Sequence, residues 1–447
     1  MDQIVRIYIP DNNVPERLYT IKVLFEELLG VDYEVALESA QRESLVMEVN
    51  NTFVAFEDHF FGQFPDPNSY LGGNNIPEVI TTLSSFKEFV IPIIYGVDRF
   101  NIENDKVVCG LDIIASTFFM LTRWEEYVIG RKETGKCNEE DLLCVKTGYD
   151  RVPIVHIYEC FLRHIFEEAG MPVECNRSFA IKTTHDVDRC YLTGWRELLC
   201  NARRIYFNGN KALARKIIKD YIWFKTRFKN PFDTYDFFMD CAEQIGTRDE
   251  FYFKCCAGNE SGKTYEISDK IVQDFINHIK VRKHRIGFHP SESTFANTEQ
   301  FAKEKERLFE STTPMSLIGR NHMLLITPTV YRDWEGASAE YVSNYGYQAR
   351  NGFRCGIAVA FSYYDFENRQ VLNVKEVPFE IMDTVMLRKQ PAVEIAIEDI
   401  KEIVDIVKLH NGMLCTNWHS NVYNMRAMVS YKPVYSRMIE YVKELMG

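Results

Sequence analysis

At 447 residues and 46% apolar composition, the chain exceeds what one hydrophobic core usually serves, which points to two domains. Its net charge of −12 excludes general affinity for nucleic acid, whose binders concentrate positive charge. No apolar run reaches bilayer-spanning length, so no transmembrane segment is expected. The opening residues, Met1 to Pro10, alternate like a strand and lack the basic-then-apolar pattern of a secretion signal. Twelve cysteines are scattered without C-x-x-C spacing, a usage that fits free thiols in a reducing, cytoplasmic setting.

In chain order, residues 4–9 read as a strand, and Val14 to Leu29 as a helix with Pro15 in its first turn and Gly30 as its stop. Strand-like Tyr33 to Leu37 and Leu45 to Asn50 follow. His59, beside Phe60 and Phe61, reads as a packed or solvent-facing ring. Leu111 to Val128 is a helix candidate closing at Gly130, with Arg123, Glu125 and Glu126 near its end. The polar run from Gly130 to Tyr149 suits a surface loop, and a helix from Pro153 to Ala169 leads to a domain boundary near residue 174. Residues 1–174 form a smaller α/β unit in this reading, and residues 175–447 carry the chemistry.

The second unit opens on Phe179-Ala-Ile-Lys-Thr-Thr-His-Asp-Val-Asp188, an apolar run ending in one histidine and two carboxylates. It reads as a buried strand that delivers its polar end to a surface. Alternation along the strand sends Asp186 and Asp188 to one side and His185 to the other. Two carboxylates in one small volume need a cation or a retained proton, unless they only cap a neighbouring element. From Arg189 to Asn230 eleven Lys or Arg face only Glu197 and Asp220. This is a solvated helical face, or a contact for an anionic saccharide, a phosphate-bearing carrier or a membrane surface.

Strands Glu250 to Cys256, Arg285 to His289, Ala358 to Phe361, Val371 to Ile381 and Met413 to Trp418 then alternate with helices. The helices are Glu266 to Lys280, Thr298 to Phe309, Val393 to His410 and a last one from Pro433. This pattern predicts a largely parallel sheet, open or closed into a barrel, with its site at the C-terminal strand ends. Three strand ends are chemically unusual: Thr184-His-Asp-Val-Asp188, Gly287-Phe-His-Pro-Ser-Glu-Ser293 and Asn417-Trp-His-Ser420. An Asp with one or two His, leaving a position open, suits a catalytic zinc or similar divalent ion.

In the order of these motifs the chain resembles the polysaccharide deacetylase superfamily, carbohydrate esterase family 4, and more closely its bacterial branch with a T-H-D-V-D first motif. The resemblance covers roughly residues 175–421, and the Leu111 to Tyr127 segment is similar to that branch's N-terminal domain. It implies a distorted (β/α) barrel preceded by a smaller α/β domain. The family's catalytic-base Asp matches Asp186, its metal-ligand Asp matches Asp188, its first metal histidine matches His289 and its general-acid histidine matches His419. Gly319-Arg-Asn-His322 and Asn351-Gly-Phe-Arg-Cys-Gly356 resemble the branch's arginine motifs. Arg354 is thereby a candidate to orient Asp186 or a substrate oxygen, or else a structural ion pair.

The chain departs from the family at two places. Ser293 stands where a second metal histidine is expected, and Val342-Ser-Asn-Tyr-Gly lacks the Asp that usually precedes the Gly-Phe-Arg motif. His322 is the candidate replacement ligand. His185 is turned away by alternation, and His284 sits at the far end of its strand. The resemblance implies hydrolysis of an N-acetyl group on a sugar, nucleotide-linked or lipid-linked, in surface-polysaccharide metabolism. Hydrolysis of a different non-peptide amide stays open, as does a catalytically inactive carbohydrate-binding scaffold. Glu376 and Asp383 are expected to support the site.

Overall fold

The computed structural model describes residues 4–39, 43–103, 106–191, 199, 202–203, 206–207, 211–226, 230, 232–258, 260, 264–422 and 431–447. Much of the basic 189–230 stretch lies outside the described residues. The fold is mixed α/β, with two main sheets. The first takes six strands in the order Tyr33–Glu38, Val5–Pro10, Ser44–Val49, Thr52–Glu57, Lys106–Leu111 and Gly96–Glu103. The second takes nine, in the order Phe361–Asp365, Gln370–Glu376, Tyr341–Val342, Ile318–Gly319, Arg285–Phe288, Glu250–Phe253, Ala180–Val187, Met413–Asn417 and Ile381–Met382. Every pairing in the nine-stranded sheet is parallel except that of Phe361–Asp365 with Gln370–Glu376. No helix among the described residues is long and apolar enough to cross a membrane.

The nine-stranded sheet is curled. Gln370–Glu376 and Ile381–Met382 lie seven strand steps apart in the order, about 34 Å if the sheet were flat. The chain joins them in five residue steps, which reach at most about 18 Å. The two ends of the sheet are therefore drawn toward each other, although no pairing among the described residues joins them. Pro378 marks the break between the two strands, since it cannot donate to a ladder. This is why the single strand expected over Val371 to Ile381 is two.

Other expected elements shift for identifiable reasons. The helix expected from Val14 to Leu29 begins with ordinary α turns at Val14–Ile21 and widens to i→i+5 turns over Lys22–Leu29. Gly30 ends it at φ 67°. On the next helix, Leu111 instead ends a strand, and Asp112 caps Ile113–Thr122 by accepting from the Ala115 N–H at 2.9 Å. That helix breaks at Arg123, whose backbone is left-handed at φ 50°. Its guanidinium is buried against Glu126 at 3.0 Å and also against Glu125. The polar 130–149 segment is not a plain loop but carries short turns at Lys132–Thr134, Glu139–Asp141 and Leu143–Lys146.

The two sheets are tied together through buried polar contacts. Tyr19 donates to the Ser362 carbonyl at 2.9 Å, and Glu126 accepts from Arg354 at 2.8 Å. Gly352, at φ +155°, lets this segment close on the loop of Asp150, whose carbonyl would lie 2.3 Å from an added Cβ. The apolar core is continuous through both parts, from Val5 and Ile7 to Ile439 and Val442.

Candidate active site

The C-terminal ends of the parallel strands gather the polar groups. Ala180–Val187 supplies Asp186 and Asp188, and Arg285–Phe288 supplies His289. Ile318–Gly319 supplies Arg320 and His322, and Met413–Asn417 supplies Asn417 and His419. Gly319 makes the close packing possible, because a Cβ there would meet the Phe288 carbonyl oxygen at 1.9 Å.

Asp186 is buried, accepting from Arg320 Nη1 at 3.0 Å on one oxygen and from Asn417 Nδ2 at 2.8 Å on the other. Burial works to raise its pKa, but the Arg320 charge, helped by His289 and His419, outweighs it and holds the carboxyl at about 2. Arg320 is itself buried between the rings of Tyr252 and Phe379. It also donates to the Ser343 carbonyl at 2.6 Å and the Ser343 hydroxyl at 2.7 Å. The segment that lacks the family's Asp is therefore used to brace this arginine.

Asp188 faces the same volume, as alternation requires. Burial opposes its charge, yet the neighbouring His289, Lys254 and His419 hold it well below the usual carboxylate range. Its Oδ1 lies 3.6 Å from His289 Nε2 and 3.5 Å from His322 Nε2. The possible ligand atoms of these three residues all lie within 4.8 Å of one another. His289 donates from Nδ1 to the Arg320 carbonyl at 2.6 Å. That bond turns Nε2 toward Asp188, the orientation a metal-binding imidazole needs. His289 Nε2 is buried without a hydrogen-bond partner, and the buried Asp188 Oδ1 has the Lys254 ammonium 3.0 Å away. Burial, together with the charges of His289 and Lys254, lowers the His322 pKa to about 3, so its ring is neutral. An ionised carboxylate, the neutral His322 imidazole and His289 Nε2 converging on one point fit a divalent ion.

His419 lies across from this trio, with Nε2 3.7 Å from Asp186 Oδ2. Its Nδ1 donates to Asp383 Oδ1 at 2.8 Å, and its backbone N–H donates to Asp383 Oδ2 at 2.8 Å. Burial works against the charged ring, but Asp383 outweighs it and pushes the pKa up to about 9. The ring is therefore protonated at neutral pH. Glu376 lies behind the site, accepting from Tyr331 Oη at 2.6 Å and from the Asn344 and Tyr345 N–H groups.

The structure does not bring every candidate together. Arg354 pairs with Glu126 and donates to the Gly346 carbonyl at 2.7 Å, so it is not the arginine on Asp186. That partner is Arg320, from the other arginine motif. Ser293 hydrogen-bonds Ser291 at 2.6 Å, and both lie against the buried Glu304. His185 bonds the Trp418 carbonyl at 2.7 Å and faces Asp249, away from the Asp pair. His284 accepts from the Asp249 N–H and faces Glu243. Lys254 escaped the sequence reading. Its Nζ lies 3.0 Å from Asp188 Oδ1 and it is buried. The available signal was a lysine directly after the apolar Phe251-Tyr-Phe253 strand end.

A family of unknown function (DUF7033) matches residues 5–171. No curated protein matches the chain. Among solved structures, a candidate polysaccharide deacetylase from Mycobacterium smegmatis aligns at 12% identity and TM-score 0.39, over 61% of this chain and 87% of that one. A candidate polysaccharide deacetylase involved in O-antigen biosynthesis from Bordetella bronchiseptica aligns at 14% identity and TM-score 0.30, over 60% and 82%. PuuE allantoinase aligns at 12% identity and TM-score 0.37, over 60% and 85%. The likeness at these scores is coarse.

Proposed function

We propose that the protein is a metal-dependent hydrolase that removes an N-acetyl group from a sugar in surface-polysaccharide metabolism. The observation that carries this reading is the convergence of Asp188, His289 and His322 beside an ionised Asp186 and a protonated His419. The curl of the nine-stranded sheet supports a distorted (β/α) barrel. The division of the strands between two sheets supports an accessory unit over 1–174 and a catalytic unit over 175–447.

Asp188, His289 and His322 would hold a divalent ion, zinc by the chemistry of the donor set, which would polarise the amide carbonyl and lower the pKa of the attacking water. Asp186 accepts the water's proton. Its low pKa makes it a weak base, but Arg320 and Asn417 fix both of its oxygens, so its orientation is set before substrate arrives. His419 gives its Nε2 proton to the departing amine nitrogen, and Asp383 holds the ring in place through Nδ1. The sugar class and its pathway are supported by the motif resemblance.

Acetate release from N-acetylated sugars, nucleotide-linked and lipid-linked ones included, tests the reaction. His419→Gln separates the acid from the rest of the site. An amine leaves poorly unless protonated, whereas an alkoxide of lower basicity needs less help. The variant is expected to lose about a hundredfold on the amide, the scale of a positioned acid, and much less on an ester analogue with a good leaving group. Equal losses on both would remove His419 from that role.

A further inference from the structure

A cavity of about 280 Å³ lies beside Arg354. Two of its lining residues are near neighbours of the catalytic groups in the chain. One is Met323, the residue after His322, and the other is Arg388. Arg388 lies on the helix Thr384–Lys389, which starts next to Asp383. Arg388 is five positions after Asp383, about 7.5 Å along a helix axis. Gln348, also in the lining, accepts from the Thr384 hydroxyl at 3.1 Å through its carbonyl.

The cavity is cationic in a protein of net charge −12. Arg131, Lys136, Arg354 and Arg388 line it. The guanidiniums of Arg131 and Arg354 are buried, and their charges are met from behind by Glu126, at 2.5 and 2.8 Å. The acids in the lining are already engaged. Glu139 accepts from the Gln348 and Ala349 N–H groups at 2.6 and 3.2 Å and lies 3.3 Å from Arg354. Glu140 pairs with Arg350. Lys136 and Arg388 are exposed, and neither is ion-paired among the described residues. Two unmatched cations over two buried guanidiniums suit a dianion better than a single carboxylate, which one arginine would satisfy.

We propose that this cavity binds the phosphate of the substrate, so that the N-acyl sugar delivered to Asp186 and His419 is a phosphorylated one. The inference rests on the N-deacetylase reading for the identity of the sugar, but the anion site itself does not depend on it. Sugar 1-phosphates, nucleotide-linked sugars and lipid-linked sugars share this chemistry.

Calorimetric titration of inorganic pyrophosphate into protein purified without added metal tests the site directly. The Lys136→Gln/Arg388→Gln double variant, at two exposed positions, is expected to bind it at least about tenfold more weakly, the scale of one charge-assisted contact. Equal affinity in both proteins, or no binding to either at millimolar concentration, would overturn the proposal. In the second arm, acetate release is compared for N-acetylglucosamine, its 1-phosphate and its nucleotide-linked form. The double variant is expected to raise KM for the phosphorylated forms alone, and the form with the largest rise identifies the source of the phosphate. An equal rise for the free sugar would contradict the proposal. Loss of pyrophosphate binding in the variant, with no acetate released from any sugar by the parent protein, would uphold the anion site while rejecting the deacetylase reading.

Discussion

Asp186→Asn is expected to lower kcat by about a hundredfold or more while leaving metal content unchanged, because the amide cannot take up a proton. The substitution nearly preserves shape, and its single amide oxygen keeps one of the two bonds that Arg320 and Asn417 make to the separate oxygens of Asp186. Metal loss in this variant would move Asp186 into the ligand set. Parental turnover would remove it from the reaction. The distinction matters because the two aspartates lie two residues apart and both face His289 and His419. Of the two, Asp188 has two histidine Nε2 atoms converging on one oxygen.

Arg320→Met is expected to destabilise the fold by about 3–5 kcal/mol, the cost of leaving one member of a buried ion pair behind. Both partners are almost fully buried, at 0% and 4% side-chain exposure. The loss extends beyond the pair, because Ser343 and Thr184 also give up their partner. Urea unfolding monitored at an unchanged m-value reads this directly. A loss below about 1 kcal/mol would mean that Asp186 is neutralised by other means. Arg320→Lys keeps the charge without the fork, so it should recover part of the stability but not the fixed orientation of Asp186.

Local rules made part of this architecture legible. Period-two alternation along Phe179 to Asp188 puts Asp186 and Asp188 on one face and turns His185 toward Asp249, and the structure shows that arrangement. Strand-end position was enough to suggest His322 for the place that Ser293 leaves vacant, and the structure sets His322 Nε2 3.5 Å from Asp188. The arginine on Asp186 was not legible, because the choice between Arg320 and Arg354 depends on which buried carboxylate each meets after folding. Arg354 meets Glu126, more than two hundred positions earlier in the chain. Lys254 was missed for a similar reason, since a lysine after an apolar strand ordinarily reaches solvent. The short strands Ile318–Gly319, Tyr341–Val342 and Ile381–Met382 have two residues each, too few to carry a periodic signal.

Zinc titration of protein purified without added metal tests the central claim, that Asp188, His289 and His322 form one metal site. Calorimetry is expected to find about one ion per chain. Asp188→Ala should abolish the binding, and His322→Ala should weaken it about as much as His289→Ala does. Equal zinc content in the parent protein and in Asp188→Ala would contradict the account.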